Sequence, residues 1–236
     1  MGMDERVTSR TGQKGIQSFV LREGRLTKLQ ERAIRMYGDT YAVPFVSEQK
    51  NPGEFFGSSN PVVIEIGFGM GITTAEIARQ QPDTNYLGIE VFRSGVGRLL
   101  HEIAEQKLEN IRIIRFDAVE VLQKMIPDRT VSGFHIFFPD PWQKKRHHKR
   151  RLIQQPFLQL LCSKLTQDGY IYLVTDWEPY ARWMVEEIGK CENLLIQDRE
   201  ESGFSRPRPW RPKTKFEQKG LDRDHRIFEL YLTLSR

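Results

Sequence analysis

From Pro61 onward, short apolar segments alternate with longer amphipathic ones, and this alternation limits the possible folds more than any other feature of the sequence. Strands are predicted at residues 62–66, 85–90, 111–116, 134–138 and 170–175. Helices are predicted between and after these strands, at residues 72–80, 93–109, 118–125, 152–165 and 178–188. Two further strands are predicted near residues 194–197 and 226–234. Repeated βα alternation predicts an α/β fold with a mostly parallel, seven-stranded sheet and helices on both faces.

The 236 residues are interpreted as one domain, residues 25–236, preceded by a polar and flexible tail, residues 1–24. A short helix is predicted at residues 26–36. No apolar run reaches 18 residues and Met1–Gln17 lacks the apolar core of a signal peptide, so neither a membrane span nor secretion is expected. Cys162 and Cys191 lack CxxC spacing and fit reduced thiols, so a cytoplasmic protein is expected.

The first predicted strand runs into a glycine loop that contains Gly67, Gly69 and Gly71, with Glu65 two residues before it. Glycine lets the backbone turn sharply and approach a ligand closely. A dinucleotide fingerprint needs G-x-G-x-x-G or A, but position 72 is isoleucine, and Glu65 would repel a pyrophosphate. S-adenosylmethionine has no phosphate, and its amino acid part is cationic. It therefore fits a loop beside Glu65 better than a dinucleotide does. The alternative is a turn that only packs a helix against a strand.

Two acids stand at the ends of the next two strands. Glu90 lies about 20 residues past the glycine loop, the spacing at which an acid can hold ribose hydroxyls. Asp117 follows the third strand, where a carboxylate can accept a hydrogen bond from an adenine amino group. Either acid alone is more often a helix cap or a surface residue. Together with the glycine loop, they resemble the class I S-adenosylmethionine-dependent methyltransferases.

The fourth strand ends in Pro139-Asp140-Pro141-Trp142. Proline fixes the backbone, so this loop is expected to be stiff and to aim Asp140 at the cleft beyond the strand ends. Trp142 is expected either to stack on a base or to cap the core, because aromatic residues do both.

Cations crowd the positions after this loop: Lys144, Lys145, Arg146, Lys149, Arg150 and Arg151, with His147 and His148 between them. A second cluster contains Arg206, Arg208, Arg211, Lys213, Lys215 and Lys219. Clustered cations suit a polyphosphate partner. A run of charges is usually a solvated helix start, but its place beside the predicted cleft favours contact with an RNA backbone.

Two later carboxylates are candidates for contacting the substrate. Asp176 follows the fifth strand and is expected to point at the cleft, to cap the next helix, or to do both. Glu217 can accept hydrogen bonds from the N1–H and amino groups of guanine. The five histidines show no convincing ligand spacing, so no metal is predicted, and His135 is expected to be structural.

Several motifs together resemble the bacterial tRNA (guanine-N7-)-methyltransferase (TrmB) family. The resemblance rests on the segment from Glu65 to Gly71, on Pro139–Trp142 with the basic run, on Thr175-Asp176, and on Thr214-Lys215-Phe216-Glu217. It extends from Phe19 to the C-terminus. The glycine loop is common to many methyltransferases, whereas the proline-flanked loop and the Thr-Lys-Phe-Glu segment are much more specific.

The resemblance implies transfer of a methyl group from S-adenosylmethionine to the N7 atom of guanine 46 in the variable loop of tRNA, with S-adenosylhomocysteine as product. It assigns Glu65, Glu90, Asp117 and Asp140 to the donor, with the catalytic role falling on Asp140. It assigns Lys144, Asp176, Thr214, Lys215, Phe216 and Glu217 to the substrate, and residues 146–151 to RNA contact. A monomer or a homodimer that binds tRNA, and neither a membrane nor a metal, is expected.

Guanine N7 has a free lone pair and no proton to lose, so its methylation needs no general base. Asp140 is expected to stabilise the positive charge that forms on the ring. One alternative is methylation of an exocyclic amino group, which is disfavoured because Asp140 is followed by one proline and not two. Another is a non-catalytic RNA-binding module with a degenerate donor pocket.

Overall fold

A seven-stranded sheet forms the centre of the molecule, with the strand order β3-β2-β1-β4-β5-β7-β6. The computed structural model describes Phe19, residues 24–213, Glu217 and residues 226–235. The strands are β1 (Val62–Ile66), β2 (Asn85–Ile89), β3 (Ile111–Ile114), β4 (Val131–Phe137), β5 (Leu165–Thr175), β6 (Leu194–Ile196) and β7 (Phe228–Leu234). The first five are parallel, and β7 runs antiparallel to both β5 and β6. The predicted fold class is therefore confirmed.

In the described part of the chain, six α-helices cover the sheet: α1 (Lys28–Tyr41), α2 (Ile72–Gln80), α3 (Arg93–Gln106), α4 (Ala118–Lys124), α5 (Gln155–Lys164) and α6 (Glu178–Gly189). Buried apolar side chains of α1, α2 and α3 pack on one face of the sheet, and those of α4, α5 and α6 pack on the other. Neighbouring residues of β1 enter opposite cores, since Val63 joins the first cluster and Ile64 the second. Helices on both faces are thus also confirmed.

The fourth and fifth strands are longer than predicted. Val131 already pairs with Leu165, and the register shifts before Gly133 pairs with Tyr170. A side chain at Gly133 would collide with the Tyr170 ring, whose nearest atom lies 2.6 Å from the ideal Cβ position. Glycine at this position looks like a strand end in the sequence, but it makes room for the tyrosine of the neighbouring strand.

Helix α1 begins two residues later and ends five residues later than predicted. Its start is fixed by a capping box, in which Gln30 N donates to Thr27 Oγ1 and Thr27 N donates to Gln30 Oε1. The side-chain amide of Gln30 also donates to Ser94 O at 3.1 Å, at the start of α3. This bond joins α1 to the end of the sheet where β2 runs into α3.

Replacement of Gly97 by alanine is expected to separate α1 from α3. A Cβ at Gly97 would lie 2.8 Å from the Cβ and 2.9 Å from the carbonyl oxygen of Gln30. Overpacking of this kind costs about 1–3 kcal/mol of unfolding free energy, which urea denaturation measures. Gly189→Ala, where a Cβ meets nothing within 4 Å, is the control and should be neutral or slightly stabilising. Equal stability of the two variants would contradict this view of the interface.

Candidate functional site

A cleft of about 240 Å³ opens at the carboxyl ends of β1 to β4. It lies where the strand order reverses between β1 and β4, which is the usual ligand position in open parallel sheets. Among the predicted site residues, Gly67, Gly69, Glu90, Asp117 and Asp140 line it. Aromatic walls are provided by Phe19, Phe92, Phe116, Phe137 and Phe138. The other residues before Gly24 lie outside the described part of the chain, so the predicted tail stays a prediction.

The carboxylate of Glu90 ties together the two loops on the donor side of this cleft. Its Oε2 accepts a hydrogen bond from Gly69 N at 2.9 Å. Its Oε1 accepts from Val91 N at 2.7 Å and from Phe92 N at 3.1 Å. Burial raises the pKa of Glu90, although these backbone bonds oppose the rise. Glu90 therefore sets the shape of the glycine loop as well as lining the cleft.

The three glycines of the loop meet different structural requirements. All three have positive φ, at 72° for Gly67, 58° for Gly69 and 69° for Gly71. A Cβ on Gly67 or Gly69 would meet nothing within 4 Å, because both border the open cleft. A Cβ on Gly71 would lie 2.6 Å from Leu99, so Gly71 packs α2 against α3 and does not line the cleft. A donor contact by Gly71 stays a prediction.

Glu65 lies behind the glycine loop and does not line the cleft. Its side chain is buried, and Oε2 has no hydrogen-bond partner among the described residues. Burial raises the pKa of Glu65 to about 7, and the nearby Glu90 carboxylate adds to the rise. A buried acid of this kind is ready to accept a hydrogen bond or a positive charge from a ligand.

Asp117 caps helix α4, which is one of the two roles that the sequence left open, and its donor contact stays a prediction. Its Oδ1 caps α4 by accepting from Val119 N at 2.8 Å and from Glu120 N at 3.3 Å. The other oxygen, Oδ2, takes no part in either bond. Beside it, the ring of Phe116 is stacked on that of Phe45 with centroids 3.9 Å apart. A planar base would find an aromatic wall here, beside a carboxylate oxygen that takes no part in the helix cap.

The loop that carries Asp140 is held in an unusual conformation. Phe138 and Trp142, on either side of the two prolines, have positive φ angles of 53° and 43°. Such backbone angles in residues other than glycine are costly and persist where surrounding contacts enforce them. One such contact is Phe138 N to Val174 O at 2.8 Å, on β5. The loop holds Asp140 at the mouth of the cleft, where partial burial raises its pKa.

Arg151 is a second contact that fixes this loop, and its prediction as an RNA contact is wrong. The side chain is buried, with Nε donating to Pro141 O at 3.0 Å. The guanidinium lies over the rings of Tyr180, at 4.9 Å, and Trp183, at 5.0 Å. Because it is enclosed by α6 and bound to the loop backbone, it is not available to a phosphate. Arginine suits this role because its planar group stacks on aromatic rings.

The remaining basic run forms a short 3₁₀ helix, Lys145–Arg150. Trp142 is packed by this run, with the Arg150 guanidinium 5.0 Å from its ring centroid and the His147 ring 5.8 Å away. His148 lies 3.1 Å from Arg151 and contacts Trp183. The cations that face solvent are Lys144, Lys145, Arg146 and Lys149. Their predicted contact with substrate or RNA stays a prediction.

Two arginines of the second basic cluster are packed against the protein, so for them the interpretation as a phosphate-binding patch is wrong. Arg208 donates to Asp198 at 2.7 Å and lies 3.8 Å from the ring centroid of Tyr231. Arg211 is buried and paired with both Glu217 and Glu229. Both guanidinium groups are already neutralised by carboxylates of the protein.

Of the predicted substrate carboxylates, Asp176 is partly exposed and Glu217 is buried. The N-cap of α6 is Trp177, whose N–H donates to Thr175 Oγ1 at 3.2 Å, so the alternative role of Asp176 as a helix cap is not seen. Both oxygens of Glu217 are bound by Arg211, and its side chain is only 2% exposed. Thr214, Lys215 and Phe216 lie outside the described residues. Base recognition by these residues stays a prediction.

Sequence reasoning missed the partners of Glu217. Glu229 on β7 shares Arg211 with it and accepts a hydrogen bond from the Tyr172 hydroxyl. The one available signal was a glutamate inside the apolar strand pattern 226–234. A charge in the middle of a strand that is otherwise buried needs a partner of opposite charge.

His135 is structural, as expected. It is fully buried, with Nε2 2.8 Å from the Tyr170 hydroxyl, and burial lowers its pKa to about 3. In the described part of the chain, no three His, Cys, Asp or Glu side chains are placed to hold a metal ion. Within the same residues, no helix is long and apolar enough to cross a membrane.

Comparisons with known proteins agree with this geometry. A family model described as "Putative methyltransferase" matches residues 59–230. A tRNA (guanine-N(7)-)-methyltransferase of Neisseria gonorrhoeae is 47% identical over 217 residues, which cover 92% of this chain and 90% of the relative. A protein of the same name from Paraburkholderia xenovorans is 50% identical over 216 residues, which cover 91% of this chain and 82% of the relative.

Solved structures share the fold at low sequence identity. The 16S rRNA methyltransferase KamB has a TM-score of 0.52 at 13% identity, covering 80% of this chain and 96% of its own. An rRNA methylase from Streptococcus thermophilus has a TM-score of 0.52 at 10% identity, and the match covers 76% of this chain and 89% of the methylase. The doubly wound sheet, with its glycine loop and acids at successive strand ends, is that of a class I methyltransferase. The chain belongs to the tRNA (guanine-N7-)-methyltransferase family.

Replacement of Glu65 by glutamine is expected to change how stability depends on pH. Burial raises the pKa of Glu65 from 4.5 to about 7, so the folded protein keeps this proton to a higher pH than the unfolded chain does. Its contribution to stability is full below pH 4.5 and is lost as the pH rises to about 7. At pH 8, Glu65→Gln should raise the unfolding free energy by about 3 kcal/mol, at about 1.4 kcal/mol per pKa unit.

Chemical denaturation at pH 5 and at pH 8 measures this effect. Glu105→Gln, at an exposed position of α3, is the control and should keep the wild-type pH dependence. If Glu65→Gln also keeps it, Glu65 does not titrate with a raised pKa.

Proposed function

We propose that this protein is a tRNA (guanine(46)-N7)-methyltransferase that acts in the cytoplasm. The observation that carries the proposal is the stiff Phe138–Trp142 loop, which holds Asp140 beside the cleft that Glu90 and the glycine loop form. Solvent-facing cations follow this loop directly. The curated relatives, which carry the name of this activity, match the chain over more than nine-tenths of its length.

The residues around the cleft fit S-adenosylmethionine as the methyl donor. The donor carries a sulfonium and an ammonium group, and the acids on this side of the molecule are Glu65, Glu90, Asp117 and Asp140. Glu65 has a buried oxygen without a partner among the described residues, and Gly67 and Gly69 leave open space beside the backbone. Bound donor would supply an electrophilic methyl group, with S-adenosylhomocysteine as the product.

Asp140 would act on the substrate as a fixed charge. Guanine N7 attacks with its own lone pair, so the protein has to align the base and exclude water. Positive charge develops on the ring as the new bond forms, and a carboxylate that does not move stabilises it. The strained backbone on both sides of Asp140, and the bond from Arg151 to Pro141, keep that carboxylate in place.

Affinity for tRNA would come from the exposed part of the basic run. The side chains of Lys144, Lys145, Arg146 and Lys149 are exposed next to the mouth of the cleft. Contacts with phosphates position the RNA, whereas the choice of base depends on groups that reach the base edge. Asp176, which is not the N-cap of α6, would serve that purpose.

The proposal is tested by incubating the protein with donor and unmodified tRNA, followed by nucleoside mass spectrometry and mapping of the modified position. We expect 7-methylguanosine at position 46. An N2-methylated guanosine would instead favour the exocyclic amino chemistry. Absence of donor binding in calorimetry would favour a non-catalytic RNA-binding module.

Replacement of Asp140 by asparagine is expected to lower turnover while donor affinity stays within about twofold of wild type. The amide keeps the shape of the loop but removes the charge that would stabilise the methylated ring, a loss worth about 100-fold or more in rate. Single-turnover kinetics and calorimetry measure the two quantities. Asp83→Asn, at an exposed turn between α2 and β2, is the control. Turnover of Asp140→Asn near the wild-type value would rule out charge stabilisation by this residue.

A further inference from the structure

The short 3₁₀ helix Lys145–Arg150 follows the loop that carries Asp140. Residues three positions apart lie above one another in a 3₁₀ helix, so the side chains of this helix form three rows. One row packs against Trp142, and a second row faces solvent. The third row ends in His148 and Arg151, the C-cap residue of the helix, and these two side chains face α6. They are therefore not placed to contact RNA in the way that the second row is.

The ring of His148 is bonded to the guanidinium of Arg151. Arg151 Nη2 lies 3.1 Å from His148 Nε2. A guanidinium carries hydrogen on every nitrogen and accepts no hydrogen bond, so the ring nitrogen has to be the acceptor. The bond therefore requires a neutral imidazole whose proton is on Nδ1. The His148 ring also contacts the ring of Trp183 on α6 at a steep angle, with centroids 5.8 Å apart, and this contact limits how far the imidazole can turn.

Arg151 connects His148 to the loop that carries Asp140. Its Nε donates to Pro141 O at 3.0 Å, at the residue that follows Asp140. Its guanidinium lies over two aromatic rings of α6. Among the described residues, no carboxylate forms an ion pair with Arg151. The orientation of the guanidinium therefore depends on its hydrogen bonds to Pro141 and His148 and on the two rings.

We propose that His148 is a positioning residue for methyl transfer. It holds Arg151 in place, and Arg151 holds the Pro141 carbonyl beside Asp140. This inference rests on the proposed function, and it gives His148 a role inside the protein in place of the predicted contact with RNA. Contact with the rings restrains the plane of the guanidinium, whereas the bond from Nη2 to the imidazole fixes the direction in which the group points within that plane. Both bonds together keep the Nε–H on the carbonyl of the catalytic loop.

The test separates positioning from RNA contact by measuring two quantities. Single-turnover kinetics at saturating tRNA and donor gives the rate of methyl transfer, and titration of tRNA at two salt concentrations gives Kd and its salt dependence. His148→Leu keeps much of the bulk of the ring but cannot accept a hydrogen bond. We expect it to lower the rate by about 10-fold, because a hydrogen bond to a charged group is lost. Kd and its salt dependence should stay within about twofold of wild type, because no contact with phosphate is removed.

Three further variants define the comparison. His148→Gln is the conservative one, since its side-chain oxygen accepts a hydrogen bond without carrying a charge, and most of the rate should return. Lys149→Gln, in the row that faces solvent, is the contrast, because it should weaken tRNA binding and reduce the salt dependence of Kd. His101→Gln is the neutral control and should match wild type, since α3 packs on the opposite face of the sheet from α6.

NMR of wild-type protein labelled with ¹⁵N-histidine tests the bond directly, and it keeps the inference testable if His148→Leu does not fold. Free neutral histidine favours the proton on Nε2, whereas the bond from Arg151 requires it on Nδ1. We expect the signals of His148, assigned by comparison with His148→Gln, to show the Nδ1–H form at neutral pH. An Nε2–H form or a charged ring would overturn the inference.

The kinetic outcomes distinguish this inference from the proposed function. Wild-type protein that forms no 7-methylguanosine would overturn the proposed function, and this inference with it. If wild-type protein forms 7-methylguanosine, an undiminished rate in His148→Leu would overturn this inference alone. A loss of tRNA affinity in His148→Leu like that expected for Lys149→Gln would do the same, because it would make His148 an RNA contact.

Discussion

The carboxylate of Glu90 is the interaction on which the donor side of the cleft depends. It accepts three backbone hydrogen bonds, from the glycine loop after β1 and from the turn between β2 and α3. Without it, these three N–H groups would lose their acceptor, and Gly69 would lose its bond to the end of β2, although Gly67 N would still donate to Ile89 O at 2.8 Å. The acid that the family resemblance assigns to the donor thus also holds the protein in the shape that the donor requires.

Two buried arginines perform a similar structural task in other segments. Arg151 binds the backbone of the Pro139–Trp142 loop and lies over two aromatic rings of α6. Arg211 joins β7 to Glu217. The exposed cations next to them are mostly lysines. This division follows from physical chemistry, because a guanidinium is planar and weakly hydrated and tolerates burial, whereas a compact ammonium group prefers water.

Most of the architecture could be predicted from the sequence because the period of the apolar residues is a local property. Every predicted strand and helix is present, and the largest errors in their bounds, five residues each, are at the end of α1 and at the start of β5. The acids at the ends of β2, β3 and β4 could be placed together in advance, since the carboxyl ends of parallel strands meet at one edge. The burial of Arg151 and Arg211 could not be predicted, because a run of charged residues in the sequence does not show which of them has a partner.

The sequence by itself therefore determined the order of the elements and the chemistry available at each strand end. Only the tertiary structure decided which charges are paired within the protein and which remain exposed. Arg211 is 18 residues from Glu229 in the sequence, and α5 and β5 lie between Arg151 and Tyr180 along the chain. Neither contact therefore produces a periodic pattern in the sequence. The proline-flanked loop remains the meeting place of cleft and basic run, but its stiffness comes from Arg151 and the strained residues beside it as well as from its prolines. The local sequence pattern determines which helix or strand carries a side chain, and packing between distant segments determines what that side chain contacts.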